Sequence, residues 1–186
     1  MIDERRIQED FQKYLSFLRR YASESRSELI MTGGIEHAAI LMSVLLDNTE
    51  QIVRIYCYGF RPDLMIREPL NSAWKKFLDK KYNKLMILVD SSDYINEAPL
   101  KMVKKYIKQR NDDSIQVKLL SEEYHRKICE FFGDIYGYFS VFDSNKYRRE
   151  SISEEFKSIS SFNDPEYCSI LINLFDDAFH KSSLIF

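Results

Sequence analysis

Near the start of the chain, Ile7, Phe11, Tyr14, Leu15, Leu18 and Tyr21 recur at helical spacing while Arg5, Arg6, Lys13, Arg19 and Arg20 fill the other positions. The pattern predicts an amphipathic helix that needs a partner surface. After a polar Ser-Glu-Ser-Arg-Ser run, residues 28–32 form a short apolar stretch stopped by Gly33-Gly34. That reads as a strand turning into a helix over 35–46. β-Branched and aromatic residues over 51–58, bounded by Gly59 and Pro62, predict a second strand. Residues 61–68 read as a loop leading to Pro69, a good first helical residue, and to a helix reaching residue 82 with Ala73, Trp74, Phe77 and Leu78 on one stripe. Residues 84–90 are the clearest buried strand.

Further on, a helix is expected over 99–109, a turn at Asn111-Asp112-Asp113, a strand over 114–120 and a helix over 121–132. Alternating strands and helices imply parallel pairing through right-handed crossovers. The pattern then changes: a strand over 136–142, a turn at Asp143-Ser144-Asn145 and a short strand over 146–150 predict a hairpin. A final helix over 164–181 sets Cys168, Leu171, Ile172, Phe175 and Phe179 on one side, with Asp164-Pro165 as cap and first turn. The fold class is therefore α/β, with a mixed, largely parallel sheet flanked by helices. No linker divides the chain, so residues 1–24 form an N-terminal helix and residues 25–186 a single α/β domain.

Composition narrows the function classes. At 186 residues, with 45% hydrophobic and 14% aromatic content, the chain buries a real core, and 5 Gly and 4 Pro argue against low complexity. Lys plus Arg at 27 against Asp plus Glu at 29 leaves a net charge of −2, so any binding to nucleic acid rests on a local patch. Cys57, Cys129 and Cys168 are odd in number and lack metal or redox-pair spacing, which fits a reduced, cytoplasmic protein. The N-terminus has no signal-like apolar run, no window is long enough to span a bilayer, and the mature chain is expected to begin near Met1. No cofactor motif and no metal site are expected.

Three features could carry chemistry. Thr32, Gly33 and Gly34 end a strand ahead of a helix, where backbone N–H groups could hold a phosphate, although a tight turn is the preferred reading. His37, His125 and His180 are scattered; His37 is read as a helix-face residue, and a cysteine–histidine nucleophile pair depends on proximity that spacing does not give. Lys101, Lys104, Lys105 and Lys108, with Arg110 and with Lys75, Lys76, Lys80, Lys81 and Lys84, concentrate positive charge on two helices. Solvated faces explain this, and with Tyr82 and Tyr106 nearby a nucleic-acid surface is the alternative.

The stretch Tyr136-Gly137-Tyr138-Phe139-Ser140-Val141-Phe142-Asp143 resembles the phospholipase D-like family. That family carries H-x-K-x-x-x-x-D on such a strand: the His attacks phosphorus or acts as acid, the Lys holds phosphate oxygens, and the Asp supports fold and site. In this register Tyr136 stands for the His, Tyr138 for the Lys, and Asp143 for the Asp. The family's following G-S-x-N element is similar to Ser160-Ser161-Phe162-Asn163, with Ser for Gly and a longer insertion after Asp143. The likeness runs from residue 28 to the C-terminus. A phenol titrating near 10 replaces neither an imidazole nor an ammonium, so the resemblance implies a phospholipase D-like domain that has lost hydrolysis. It further implies a homodimer acting in ligand binding, sensing or protein assembly, as an accessory protein of a bacterial defence or regulatory system. Tyr136, Tyr138, Asp143, Ser161 and Asn163 would line the remaining pocket. A phosphodiesterase or nuclease with a non-standard site is the alternative. Strand alternation also puts Tyr136, Tyr138, Ser140 and Phe142 on one sheet face, where packing alone would account for both tyrosines.

Overall fold

A computed structural model describes residues 4–59, 61–91, 98–133, 137–152 and 155–186. In chain order its elements are α1 (Glu4–Ser23), β1 (Ile30–Thr32), α2 (Ile35–Asp47), β2 (Ile52–Cys57), α3 (Pro62–Met65), α4 (Leu70–Asp79), β3 (Lys84–Val89) and α5 (Ala98–Arg110). They continue as β4 (Ile115–Leu119), α6 (Glu122–Phe132), β5 (Phe139–Phe142), β6 (Lys146–Ile152), β7 (Lys157–Ser161), α7 (Pro165–His180) and β8 (Ser183–Leu184). Caps expected from the sequence are in place: the Asp164 carboxylate accepts from the Tyr167 N–H at 3.0 Å, with Pro165 opening α7.

The strands form one mixed sheet in the order β1-β7-β6-β5-β2-β3-β4-β8. Its parallel part is narrower than the alternation suggested. Among the described residues only β2–β3 and β3–β4 pair in parallel, each through a helix-containing crossover; β5, β6 and β7 follow one another through short connections as antiparallel neighbours, and β1, β2 and β8 meet β7, β5 and β4 antiparallel as well. Three elements had no clear sequence signal. Helix α3 is a single turn inside the expected loop, and β8 is two residues long. Strand β7, Lys-Ser-Ile-Ser-Ser, reads as loop because its buried alternate residues, Ser158 and Ser160, are polar.

Each sheet face carries its own apolar cluster. On one, Val53, Ile55, Leu85, Ile87 and Val89 meet Leu41 and Leu45 of α2, Trp74 and Phe77 of α4, Leu100 and Val103 of α5, and Leu18 of α1. On the other, Tyr56, Leu88, Phe139 and Val141 meet Ile128 of α6 and Leu171, Phe175 and Phe179 of α7. The partner surface that α1 needed is α2, where His37 lies edge-on to Phe11 and Tyr14 at centroid distances of 5.5 and 4.8 Å.

Arg110 departs from the expected surface charge. Its guanidinium donates to the carbonyls of Asn83 at 2.6 Å and Lys80 at 2.9 Å, to Ser114 Oγ at 3.0 Å and to the Leu78 carbonyl, so it ties the end of α5 to the loop before β3.

Candidate functional site

A cleft of about 940 Å³ opens at the carboxyl ends of the parallel strands, where β2 changes from a parallel neighbour, β3, to an antiparallel one, β5. Open α/β sheets leave their crevices at such switch points. Tyr56 stands near the end of β2, Asp90 directly follows β3, Tyr138 precedes β5, and His125 faces them from α6.

These four side chains make one cluster. The Tyr138 hydroxyl donates to Asp90 Oδ2 at 2.8 Å, and the Tyr56 hydroxyl lies 3.5 Å from the same oxygen. His125 Nδ1 is 2.7 Å from Tyr56 Oη and 3.4 Å from Asp90 Oδ2, and its Nε2 is 3.6 Å from Cys129 Sγ, one helical turn on. The Asp90 side chain is only 7% exposed. Burial pushes its carboxyl above the usual range, against the opposing pull of the Tyr138 donor and of His125. Burial likewise drives both phenols far above the ordinary tyrosine range, and the neighbouring carboxylate adds to it. Tyr56 and Tyr138 therefore act as hydrogen-bond donors rather than as anionic nucleophiles.

The rest of the cleft lining is both apolar and charged. Met42, Ile55, Leu64, Met65 and Trp74 supply apolar surface. Among the described lining residues there is no lysine, and Arg61 and Arg148 face Asp63, Asp90, Glu122 and Glu150. Both arginines are engaged: Arg148 pairs with Glu150 at 2.7 Å, and Arg61 pairs with Asp63 at 3.0 Å and lies 4.1 Å over the Phe156 ring. The cleft thus has more acids than bases. No group of three or more His, Cys, Asp or Glu among the described residues is disposed to hold a metal ion.

The expected site residues separate. Tyr136 lies outside the described residues. Tyr138 lines the cleft, but on the face shared by Phe139 and Val141, not with Ser140 and Phe142; regular strand geometry begins only at Phe139. Asp143, Ser161 and Asn163 sit at the other end of the sheet and do not line the cleft. There the Asp143 carboxylate accepts from the N–H groups of Glu50, Gln51 and Ile52 at 2.9, 2.9 and 3.2 Å and from Lys146 Nζ at 3.1 Å. Burial would raise its pKa, but these donors outweigh it and hold the carboxyl below its ordinary value. Ser161 Oγ donates to the Ser27 carbonyl at 3.3 Å and accepts from the Asn163 N–H at 3.2 Å, a local brace.

The Thr32-Gly33-Gly34 turn caps α2, with Gly34 at φ 84°, a backbone conformation that favours glycine. Its Gly34 N–H already donates to the Glu155 carbonyl at 2.9 Å, and Thr32 Oγ1 lies 2.6 Å from Ser158 Oγ. Lys101, Lys104, Lys105 and Lys108 are exposed along α5, away from the cleft, with Tyr106 donating across to Asp79 of α4 at 2.8 Å. Sequence reasoning missed Asp90 and His125 as site residues. Asp90 ends the clearest predicted strand, in the position from which strand-end residues enter α/β crevices, and that signal was available.

No protein-family model and no curated protein sequence matches the chain. Solved structures do. Nuc, a phospholipase D family member from Salmonella typhimurium, superposes with a TM-score of 0.55 at 16% identity, over 84% of this chain and 98% of that one. NucT from Helicobacter pylori gives 0.58 at 13%, over 85% and 99%. TrmBL2, an archaeal chromatin protein whose structure shows a novel mode of DNA binding, gives 0.56 at 11%, over 93% of this chain and 60% of that one. Phosphatidylserine synthase from Haemophilus influenzae is also similar, with a TM-score of 0.56 at 10% identity, over 85% of this chain and 39% of that one. The fold is phospholipase D-like. No helix among the described residues is long and apolar enough to cross a membrane.

Proposed function

We propose that this chain is a catalytically inactive phospholipase D-like module that binds a ligand in the cleft and works in sensing or protein assembly. The observation that carries this reading is the cleft's chemistry: no lysine among its described lining residues, four carboxylates against two paired arginines, and a Tyr138 hydroxyl committed to Asp90. A phosphodiester needs cations to hold its oxygens and a nucleophile to attack phosphorus. Here the acids repel it and the phenol stays protonated. An uncharged or cationic ligand with an apolar body fits better. The reading extends to a cytoplasmic homodimer serving as an accessory component of a bacterial defence or regulatory system, the setting the family resemblance implies.

The test incubates the pure protein with DNA, RNA and a chromogenic phosphodiester, alongside Tyr136→Phe and Tyr138→Phe variants. No turnover is expected from any of them; turnover by the unmodified protein that either variant abolishes would establish the phosphodiesterase alternative. Sedimentation at micromolar concentration tests the dimer, which a 22.2 kDa species alone would contradict.

A second reading has its own support. Lys101, Lys104, Lys105 and Lys108 are all exposed and lie at i, i+3, i+4 and i+7 of one helix, and TrmBL2 binds DNA. A gel-shift series across salt decides it: affinity falling steeply with salt supports a nucleic-acid surface, and absence of binding at low salt ends the idea.

A further inference from the structure

Cys129 and His125 of α6 and Asp90 after β3, 35 positions before His125, form a line of contacts: thiol sulfur to Nε2 at 3.6 Å, Nδ1 to carboxylate at 3.4 Å. The proton positions follow from what each atom can accept. With the Tyr56 hydroxyl donating to Asp90 Oδ2 at 3.5 Å, Nδ1 carries a hydrogen that it shares between Tyr56 Oη at 2.7 Å and Asp90 Oδ2 at 3.4 Å. That leaves Nε2 as the acceptor facing the sulfur. Asp90 is buried and has its second oxygen enclosed without a hydrogen-bond partner among the described residues, so Oδ2 serves the imidazole together with the Tyr138 and Tyr56 hydroxyls. This is the order of nucleophile, base and orienting acid that activates a cysteine.

We infer that Cys129 is a thiolate–imidazolium modification site for small α,β-unsaturated carbonyl electrophiles, one turn along α6 from His125, which lines the cleft. The thiol proton passes to His125 Nε2. The sulfur then attacks the β-carbon; one C–S bond forms, the C=C electron pair moves toward the carbonyl, and the α-carbon takes its proton back from the imidazolium. No other reactant is consumed. Cys129 is half-buried, so a small reagent can approach it. Of the other two thiols, burial pushes Cys57 well up and Cys168 up to about 12. The titratable and charged groups around the pair are Tyr56 of β2, Asp90 after β3 and Tyr138 before β5, with Glu122 of α6 lining the same cleft as His125. An adduct at Cys129 would disturb the His125–Tyr56–Asp90 contacts that shape the cleft. The site itself does not depend on what the cleft binds.

The experiment is N-ethylmaleimide labelling followed by peptide mass spectrometry, which reads the three cysteines separately, as a function of pH. In urea the midpoint for Cys129 is expected near the ordinary thiol value of about 8.5. In the native protein it is expected at least about one pH unit lower, corresponding to roughly ten times more thiolate in mildly acid buffer. The midpoint is independent of how fast the reagent enters. His125→Gln is expected to return it to the denatured value, and Asp90→Asn to move it the same way. Should either variant fail to fold, the native-against-urea comparison decides alone. A native midpoint no lower than the denatured one, an unlabelled Cys129, or a folded His125→Gln variant with an unchanged midpoint overturns the proposal.

Discussion

Asp143 is the residue whose role the fold defines most sharply, and Asp143→Asn tests it. The carboxylate terminates three backbone N–H groups at the start of β2 and one ammonium, in the turn that closes β5 onto β6. A hydrogen bond to a charged acceptor is worth about 1.5–3 kcal/mol, but Glu50 and Gln51 are exposed and their N–H groups can turn to water. Counting mainly the part-buried Ile52 donor and the Lys146 pair gives a loss of about 2–3 kcal/mol, or about 5–10 °C in Tm for a chain this size. Asn tolerates the positive φ of 54° at this position, so backbone strain does not contaminate the comparison. The single tryptophan, buried Trp74, reports urea unfolding. Because the folded pKa is depressed, the wild-type advantage is fully present above the unfolded carboxylate value of about 3.9 and lost as pH falls through the lower folded value. The two proteins should therefore differ at pH 7 and converge in strong acid. Equal stability at pH 7, or a gap that persists once the carboxylate is protonated, would refute the assignment.

Three further outcomes follow from the same geometry. In Gly137→Ala a Cβ would come within 2.9 Å of Phe132 Cδ2 and 3.0 Å of Ile128 Cγ2 at φ +56°, so urea stability should fall by about 2–4 kcal/mol; an unchanged midpoint would contradict the packing described. Tyr138→Phe removes the donor to Asp90, so the Asp90 titration, followed by carboxyl NMR, should move further up. A raised folded pKa lowers stability as pH rises through it, so the variant's deficit should be small in acid and reach about 1–2 kcal/mol at pH 7, and a deficit that grows in acid would be the wrong sign. Arg54 and Asp176 join β2 to α7 through contacts of 2.9 and 3.3 Å; a double-mutant cycle with Arg54→Met and Asp176→Asn should return about 1–2 kcal/mol of coupling, and less than about 0.5 would reduce the pair to a surface contact.

Much of the architecture was legible along the chain because its causes are local. The stripe that puts Leu18 into the core, the apolar run of β3, the Asp164 cap with Pro165 and the turn at 143–145 are read from spacing and residue type alone. Strand β7 and the anchoring by Arg110 were not legible, since a buried serine and a half-buried guanidinium are stabilised by partners distant in sequence: Ser158 by Thr32, Arg110 by the loop before β3. The same distinction divides the resemblance to phospholipase D-like proteins. A motif laid over eight consecutive residues treats Tyr138 and Asp143 as one site, yet an extended strand carries its two ends apart, and only Tyr138 reaches the cleft. Local patterning determined the longer helices, the apolar strands and the hairpin, but not α3, β7 or β8. The meeting of Tyr56, Asp90, His125, Cys129 and Tyr138 was decided by the order in which strands pair, because a crevice at a switch point collects side chains from whichever strand ends the sheet brings together.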